Sequence, residues 1–300
     1  MKPTLFVLAA GMGSRYGGLK QLDGIGPNGE TIMDYSVYDA KRAGFGKVVF
    51  VIRHSFEQEF RDIVLKKYEG IIDTEVVFQE VDSLPQGFCP NKERTRPWGT
   101  NHAVLMGADV IKEPFAVINA DDFYGANSFQ VLADFLKEVQ NLKGKYCMVG
   151  YRVENTLSDS GMVNRGVCTS DENGFLSGIV EREKIERNAG IITYQDEFPQ
   201  KQKIEQGTLV SMNMWGFTPD YFSYSKELFV EFLKENKDSL KAEFYIPSVV
   251  DFLIKENKAT VRLLDTTSKW FGVTYAQDKP IVLLKINELV NQGVYPAKLF

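Results

Sequence analysis

Arg15 and Lys20 lie in a glycine-rich stretch, with glycine at 11, 13, 17 and 18. Glycine lets the backbone turn sharply and approach a ligand that any Cβ would hold off. Backbone N–H groups in such a turn can converge on an anion, and two cations beside them match several phosphate charges. The chemistry this pattern serves is the grip on a nucleoside triphosphate. Far downstream, Ile118-Asn-Ala-Asp-Asp-Phe-Tyr-Gly125 carries two adjacent carboxylates. Side chains alternate along an extended segment, so Asp121 and Asp122 are expected to point apart. Mg²⁺ at phosphoryl sites is typically held by one or two carboxylates, with waters and substrate phosphates completing its octahedron.

These groups need a scaffold, and the surrounding periodicity describes one. The glycine stretch follows an apolar run, Leu5 to Leu8, long enough for a buried strand and too short for a helix. Buried strands are expected again over 47–53, 75–79 and 115–119, with helices over 33–42 (ending at Gly44), 57–67 and 101–111. Strands separated by helices mean a mostly parallel sheet covered on both faces. In such sheets ligands sit at the carboxyl ends of the strands, where the glycine turn and the aspartates fall.

After about residue 146 the rhythm changes. Strands are expected over 146–153, 163–169, 175–183 and 208–217, and Asp171-Glu-Asn-Gly174 marks a hairpin joining Val167 to Ile179. Helices return over 224–235, over 246–255 with Pro247 in the first turn, and over 280–292. The longest irregular stretch is Asp82 to Pro97, the length of a functional or mobile loop.

The 300 residues read as one α/β unit, with a first half over 1–145, a β-rich second half over 146–277, and a final helix and tail over 278–300. Hydrophobic content of 44% and charged content of 25% are those of a soluble globular protein. A net charge of −5 argues against a nucleic-acid or anionic-membrane partner. No run approaches the roughly 18 apolar residues of a membrane span. Cys89, Cys147 and Cys168 are few, scattered and odd in number, which fits a reducing cytoplasm and neither a disulfide framework nor a zinc site. Nothing in the sequence specifies an oligomeric state.

The glycine stretch is not the dinucleotide fingerprint, since Tyr16 stands where the third glycine belongs. Nor is it the P-loop, because Leu19 separates Gly18 from Lys20 and Gln21 replaces the Ser/Thr. Thr4-Leu-Phe-Val-Leu-Ala-Ala-Gly-Met-Gly-Ser-Arg15 with Lys20 resembles instead the Leu-Ala-Ala-Gly-x-Gly-x-Arg…Lys signature of the nucleotidyltransferases. These are the NDP-sugar pyrophosphorylases and their cytidylyl- and guanylyltransferase relatives. The resemblance implies a Rossmann-like, glycosyltransferase-A-like α/β fold, with a mostly parallel mixed sheet flanked by helices and a β-rich acceptor-binding half. It also implies nucleotide contacts from Ala9, Ala10, Gly11 and Gly13, and triphosphate contacts from Arg15 and Lys20.

Further segments extend the likeness. Residues 118–125 resemble the metal stretch Gly-Asp-x-x-Phe-Tyr-Gly with Ala120 at the glycine, which implies Asp121 as the Mg²⁺ ligand and Asp122 as second choice. Gly99-Thr-Asn-His-Ala103 resembles Gly-Thr-Ala-His-Ala, implying Gly99 and Thr100 beneath the nucleotide, with Gln79 offering its amide to a base edge. His102 reads as a packing histidine. Ile179-Val-Glu-Arg-Glu-Lys-Ile185 resembles Glu-x-Lys-Pro without the proline, implying Lys184 for the acceptor phosphate and Glu181 or Glu183 for a sugar hydroxyl. Met212-Asn-Met-Trp-Gly-Phe217 resembles Asn-x-Gly-x-Tyr-x-Phe, implying a sugar contact from Asn213. One departure stands out: several relatives carry Trp-x-Asp-x-Gly-Thr, whose aspartate is the second metal ligand, and here Gly272 occupies that position with Asp265 nearby in sequence.

The implied activity is Mg²⁺-dependent nucleotidyl transfer from an NTP to a sugar 1-phosphate, releasing pyrophosphate. A cytidylyltransferase acting on a phosphorylated alcohol such as phosphocholine fits the same signature. A non-catalytic nucleotide-sugar-binding regulator would fit Gly272.

Overall fold

The computed structural model describes residues 1–11, 24–158, 161–196, 200–272 and 279–300. In the first half, β1 (Thr4–Leu8), α1 (Ile32–Ala43), β2 (Lys47–Ile52), α2 (Glu57–Ile63), β3 (Asp73–Phe78), α3 (Thr100–Leu105) and β4 (Phe115–Asn119) alternate. After β5 (Asp122–Phe123) and α4 (Ala126–Glu138) the chain is mostly strand: β6 (Lys145–Arg152), β7 (Val163–Ser170), β8 (Leu176–Asn188), β9 (Ile191–Tyr194), β10 (Gln202–Ile204) and β11 (Leu209–Phe217). It closes with α5 (Tyr221–Asn236), α6 (Ile246–Lys255), β12 (Thr260–Thr266), β13 (Phe271–Gly272) and α7 (Lys279–Asn291).

The main sheet runs β3-β2-β1-β4 in parallel, as buried apolar strands with helical crossovers should. From β1 the chain moves outward to β2 and β3, then returns to place β4 on the other side of β1. That reversal is a topological switch, and ligands of such sheets bind in the crevice expected beyond the carboxyl ends of the two strands, here β1 and β4. Next comes β11, antiparallel to β4, followed by β7, β8, β9 and β10, while β6 pairs with both β11 and β12. One continuous sheet therefore joins the two halves.

Local signals explain most boundaries. Thr31 and Asp34 form a reciprocal capping box at the start of α1, and Gly44 ends it at φ 98°. Asp171 Oδ1 accepts from the backbone of Asn173 and Phe175, closing the expected hairpin between β7 and β8. Two helices are shorter than their periodicity suggests. α2 stops at Ile63 before a 3₁₀ turn over 65–68, and α3 stops at Leu105. Beyond it Gly107 lies against Phe6, so close that a Cβ would stand 3.0 Å from the ring. In the other direction, β8 runs on to Asn188 and α5 begins at Tyr221.

The loop over 82–97 is pinned. Arg94 is buried, lies over the Trp98 ring at 3.5 Å, and donates to the carbonyls of Arg96, Pro97, Ser239 and Ala242. A separate apolar cluster gathers Ile25, Tyr35, Phe123, Phe271, Val282, Ile286, Tyr295 and Leu299. Within it Phe123 of β5 stacks on Phe271 of β13 at 4.3 Å, and Tyr295 meets Phe123 and Tyr35 edge-on. No helix among the described residues is long and apolar enough to cross a membrane.

Candidate active site

The crevice is framed by the ends of β1 and β4. Leu8 lies opposite Asn119, the Leu8 carbonyl accepts from Ala120 N–H at 3.2 Å, and Ala9 N–H donates to Val51 at 2.9 Å. Ala9, Ala10 and Gly11 thus leave the sheet beside Ala120 and Asp121. Gly13, Arg15 and Lys20 lie outside the described residues.

The two aspartates diverge as alternation along an extended segment requires. Asp121 is exposed, whereas Asp122 is half-buried and turned toward the sheet. Asp122 Oδ2 accepts from Asn119 Nδ2 at 2.8 Å and from the Tyr124 hydroxyl at 3.2 Å. Asn119 Oδ1 in turn accepts from Asn213 Nδ2 at 2.7 Å, and Asn213 Oδ1 accepts from Trp215 Nε1 at 2.8 Å. A bulge in β11 between Ser211 and Trp215 makes this possible by turning Asn213 to φ 58°. Burial, then the neighbouring Asp121 charge, push the Asp122 carboxyl above the usual carboxylate range.

Across from Asp122 stands Gly272, paired with it in the two-stranded β5–β13 ladder. Asp265 is engaged elsewhere, ion-paired with Arg152 at 2.7 Å on β12. Among the described residues no cluster of three or more His, Cys, Asp or Glu could hold a metal. Two adjacent hard carboxylates whose charges repel suit a divalent cation that keeps waters and takes phosphate oxygens. The exposed Asp121 carboxylate is the group that could hold it, with the half-buried Asp122 as second choice.

On the opposite side of β1, Gln79 follows β3 and is buried. Its Nε2 donates to the Gly99 carbonyl at 3.1 Å and approaches His102 Nδ1 at 3.0 Å, while His102 Nε2 faces the Ser83 carbonyl at 2.7 Å. A neutral ring protonated at Nε2 satisfies both, and burial lowers the His102 pKa to about 4. Gly99 sits at φ 97°, and a Cβ there would meet the Phe244 backbone at 2.7 Å. The close approach that demands glycine is therefore to Phe244. The Thr100 hydroxyl accepts from Ile246 N–H at the start of α6. Gln79, Gly99 and Thr100 come together through these bonds.

Glu181, Glu183 and Lys184 lie on β8 and are exposed. Glu181 pairs with Gly166, and Lys184, at φ 51°, occupies an extra residue of β8 opposite β7, its N–H bonded to Asn164 Oδ1. Glu183 N–H donates to Asp196, which also ion-pairs with Arg182 at 2.6 Å. Four residues that the sequence reading did not assign to a site are built into this region: Asn119, Tyr124, Arg165 and Trp270. Asn119 and Tyr124 fall inside the quoted 118–125 segment, so their positions were a usable signal. Arg165 had none.

A parallel sheet with Asp121 and Asp122 at its switch point is the scaffold of a ligand-binding α/β protein. The sequence matches the Nucleotidyl transferase family over residues 6–273, and the chain belongs to that family. No curated protein matches it. The fold is similar to a UDP-glucose pyrophosphorylase solved with UDP-glucose, at TM-score 0.60 and 18% identity over 96% of this chain and 99% of that one. It is also similar to the inositol-1-phosphate CTP transferase from T. maritima, at TM-score 0.57 and 12% identity over 96% and 97%. A protein described as a glucose-1-phosphate thymidylyltransferase from Bacillus anthracis aligns at TM-score 0.61 and 15% identity over 95% of each chain.

Proposed function

We propose that this chain transfers a nucleotidyl group from an NTP to a sugar 1-phosphate, giving an NDP-sugar and pyrophosphate. The observation that carries the reading is the Asp121–Asp122 pair at the end of β4, beside the Ala9–Gly11 exit from β1. A phosphate oxygen of the acceptor attacks the α-phosphorus, and the bond from that phosphorus to the β-phosphate oxygen breaks. The nucleophile is already an anion, so no general base is needed, and positioning and charge neutralisation do the catalysis.

In this reading Asp121 would hold Mg²⁺, with Asp122 as second choice, and the ion when bound would neutralise charge on the phosphates. Asn119 and Tyr124 fix the Asp122 carboxylate from behind. Arg15 and Lys20 grip the triphosphate, Gln79 and the Gly99–Thr100 turn lie on the base side, and Lys184, Asn213 and Glu181 or Glu183 serve the acceptor. The β-rich half from β6 onward supplies a wall suited to a bulky sugar. Three free cysteines, Cys147 and Cys168 of them buried, suit a reducing cytoplasm.

The test is Mg²⁺-dependent pyrophosphate release with each NTP against sugar 1-phosphates and phosphorylated alcohols. Turnover restricted to sugar 1-phosphates is expected, with Asp121→Asn and Arg15→Ala each slowing it by about 10²–10³-fold. Turnover with phosphocholine-type acceptors alone would move the assignment to a cytidylyltransferase of alcohols. Tight NDP-sugar binding with no turnover for any pair would make the chain a regulator.

A further inference from the structure

Arg165 of β7 is a cation with no role in the reading just given, on which the following rests. Its Nη2 donates to the Thr156 carbonyl at 2.6 Å and Nη1 to the Asn164 carbonyl at 2.8 Å. The guanidinium lies over the Trp270 ring, 4.9 Å from its centre. Among the described residues no carboxylate comes within ion-pair distance of it. Its Nε is buried without a hydrogen-bond partner, and so is Trp270 Nε1 beside it.

Burial pulls the Arg165 pKa down to about 10, leaving it charged at neutral pH, and the two groups that hold it up are Asp122 first and Glu181 second. The guanidinium is thus within electrostatic reach of Asp122 and of Glu181. A guanidinium has five N–H donors, and two are used here. A buried donor left unmade is costly, and so is a half-buried cation lacking an ion partner. Both deficits would be met by one anion.

We propose that Arg165 binds the phosphate of the acceptor, with Trp270 as the platform that orients it. The choice between phosphates follows from position. Arg165 is on the β-rich half, across β11 from β4, with Glu181 on the adjacent strand, whereas Arg15 and Lys20, the cations proposed for the triphosphate, follow β1 in the sequence. The planar fork of arginine suits a phosphate monoester and stacks on an aromatic face, which lysine does not reproduce. Arg165 thereby selects phosphorylated acceptors over free sugars.

The experiment compares wild type, Arg165→Gln and Arg165→Lys in steady-state pyrophosphate release, varying acceptor and NTP separately. Arg165→Gln is expected to raise the acceptor KM by about 10- to 100-fold, the loss typical of a charge-assisted contact, with the NTP KM unchanged within about twofold. Arg165→Lys should recover part of that loss and, by keeping the charge, serve if the glutamine variant does not fold. An unchanged acceptor KM, or parallel rises in both KM values, overturns the proposal. If wild type turns over no NTP and acceptor pair, the transferase reading fails. Calorimetry with glucose 1-phosphate and with inorganic phosphate then decides Arg165 alone: loss of binding in the variants supports it, and equal binding overturns it.

Discussion

Gly272 stands against Asp122 so closely that a Cβ on Gly272 would lie 2.8 Å from Asp122 Oδ1. The position where several relatives carry an aspartate is thus bordered by a carboxylate arriving from the opposite strand. The other oxygen of that carboxylate is tied to Asn119 and Tyr124, so it cannot yield without breaking those bonds. Gly272→Ala should force Asp122 to rotate, lowering stability by about 1–3 kcal/mol, as overpacking does. If Asp122 contributes to a cation site, Mn²⁺ affinity by calorimetry should weaken by about tenfold, the worth of one charge-assisted contact. Unchanged affinity with a lowered melting temperature would remove Asp122 from that site.

His102 gives a pH dependence of known sign. Its folded pKa, about 4, is below the unfolded 6.5, so the unfolded chain binds more protons between those values. The associated stability is present above pH 6.5 and is lost as pH falls toward 4, amounting to about 3 kcal/mol. Urea denaturation should show wild type losing that much more than His102→Gln between pH 7 and pH 4. Parallel losses would contradict a buried neutral ring.

Asp39 acts in the opposite sense. Burial raises its pKa from 3.8 to about 6, against hydrogen bonds from Tyr295 and Arg42, so the folded chain binds more protons in that window. Stability associated with Asp39 is full below pH 3.8 and lost as pH rises through 6, again about 3 kcal/mol. The stability of Asp39→Asn relative to wild type should therefore increase between pH 4 and pH 7.

Arg94 holds four carbonyls and covers Trp98. Arg94→Met keeps much of the volume and leaves those carbonyls without their donor. A loss of about 2–4 kcal/mol is expected, read by thermal or chemical denaturation, with faster proteolysis in the 82–97 loop. A change within about 0.5 kcal/mol would mean that the loop does not depend on this residue.

The parallel core was legible because β1, β2 and β4 are unbroken apolar runs and each is bounded by glycine, charge or a polar turn. The hairpin after Ser170 was legible from Asp171 and Gly174. Helix α4 went unassigned although Phe129, Leu132, Ala133 and Leu136 recur at helical spacing and are all buried. The periodicity over 57–67 does not separate α2 from the 3₁₀ turn that follows it, and the contact of Gly107 with Phe6 beyond α3 has no local signal. At the site, carboxylates and glycines announce themselves within short motifs. Arg165 meets Trp270 and acts on Asp122 only after β7, β13 and β5 have assembled, so no local pattern could reveal it. The reason for Gly99 was hidden likewise, since Phe244 lies far along the chain.

Phe123 and Phe271 sit next to the paired residues Asp122 and Gly272, and both rest on a cluster that includes Tyr295 and Leu299. The floor under the carboxylates is thus laid by residues 295–299. A ribosome must read past Leu299 before that floor exists, so the chemistry proposed for Arg15 and Lys20 waits on residues almost three hundred positions downstream.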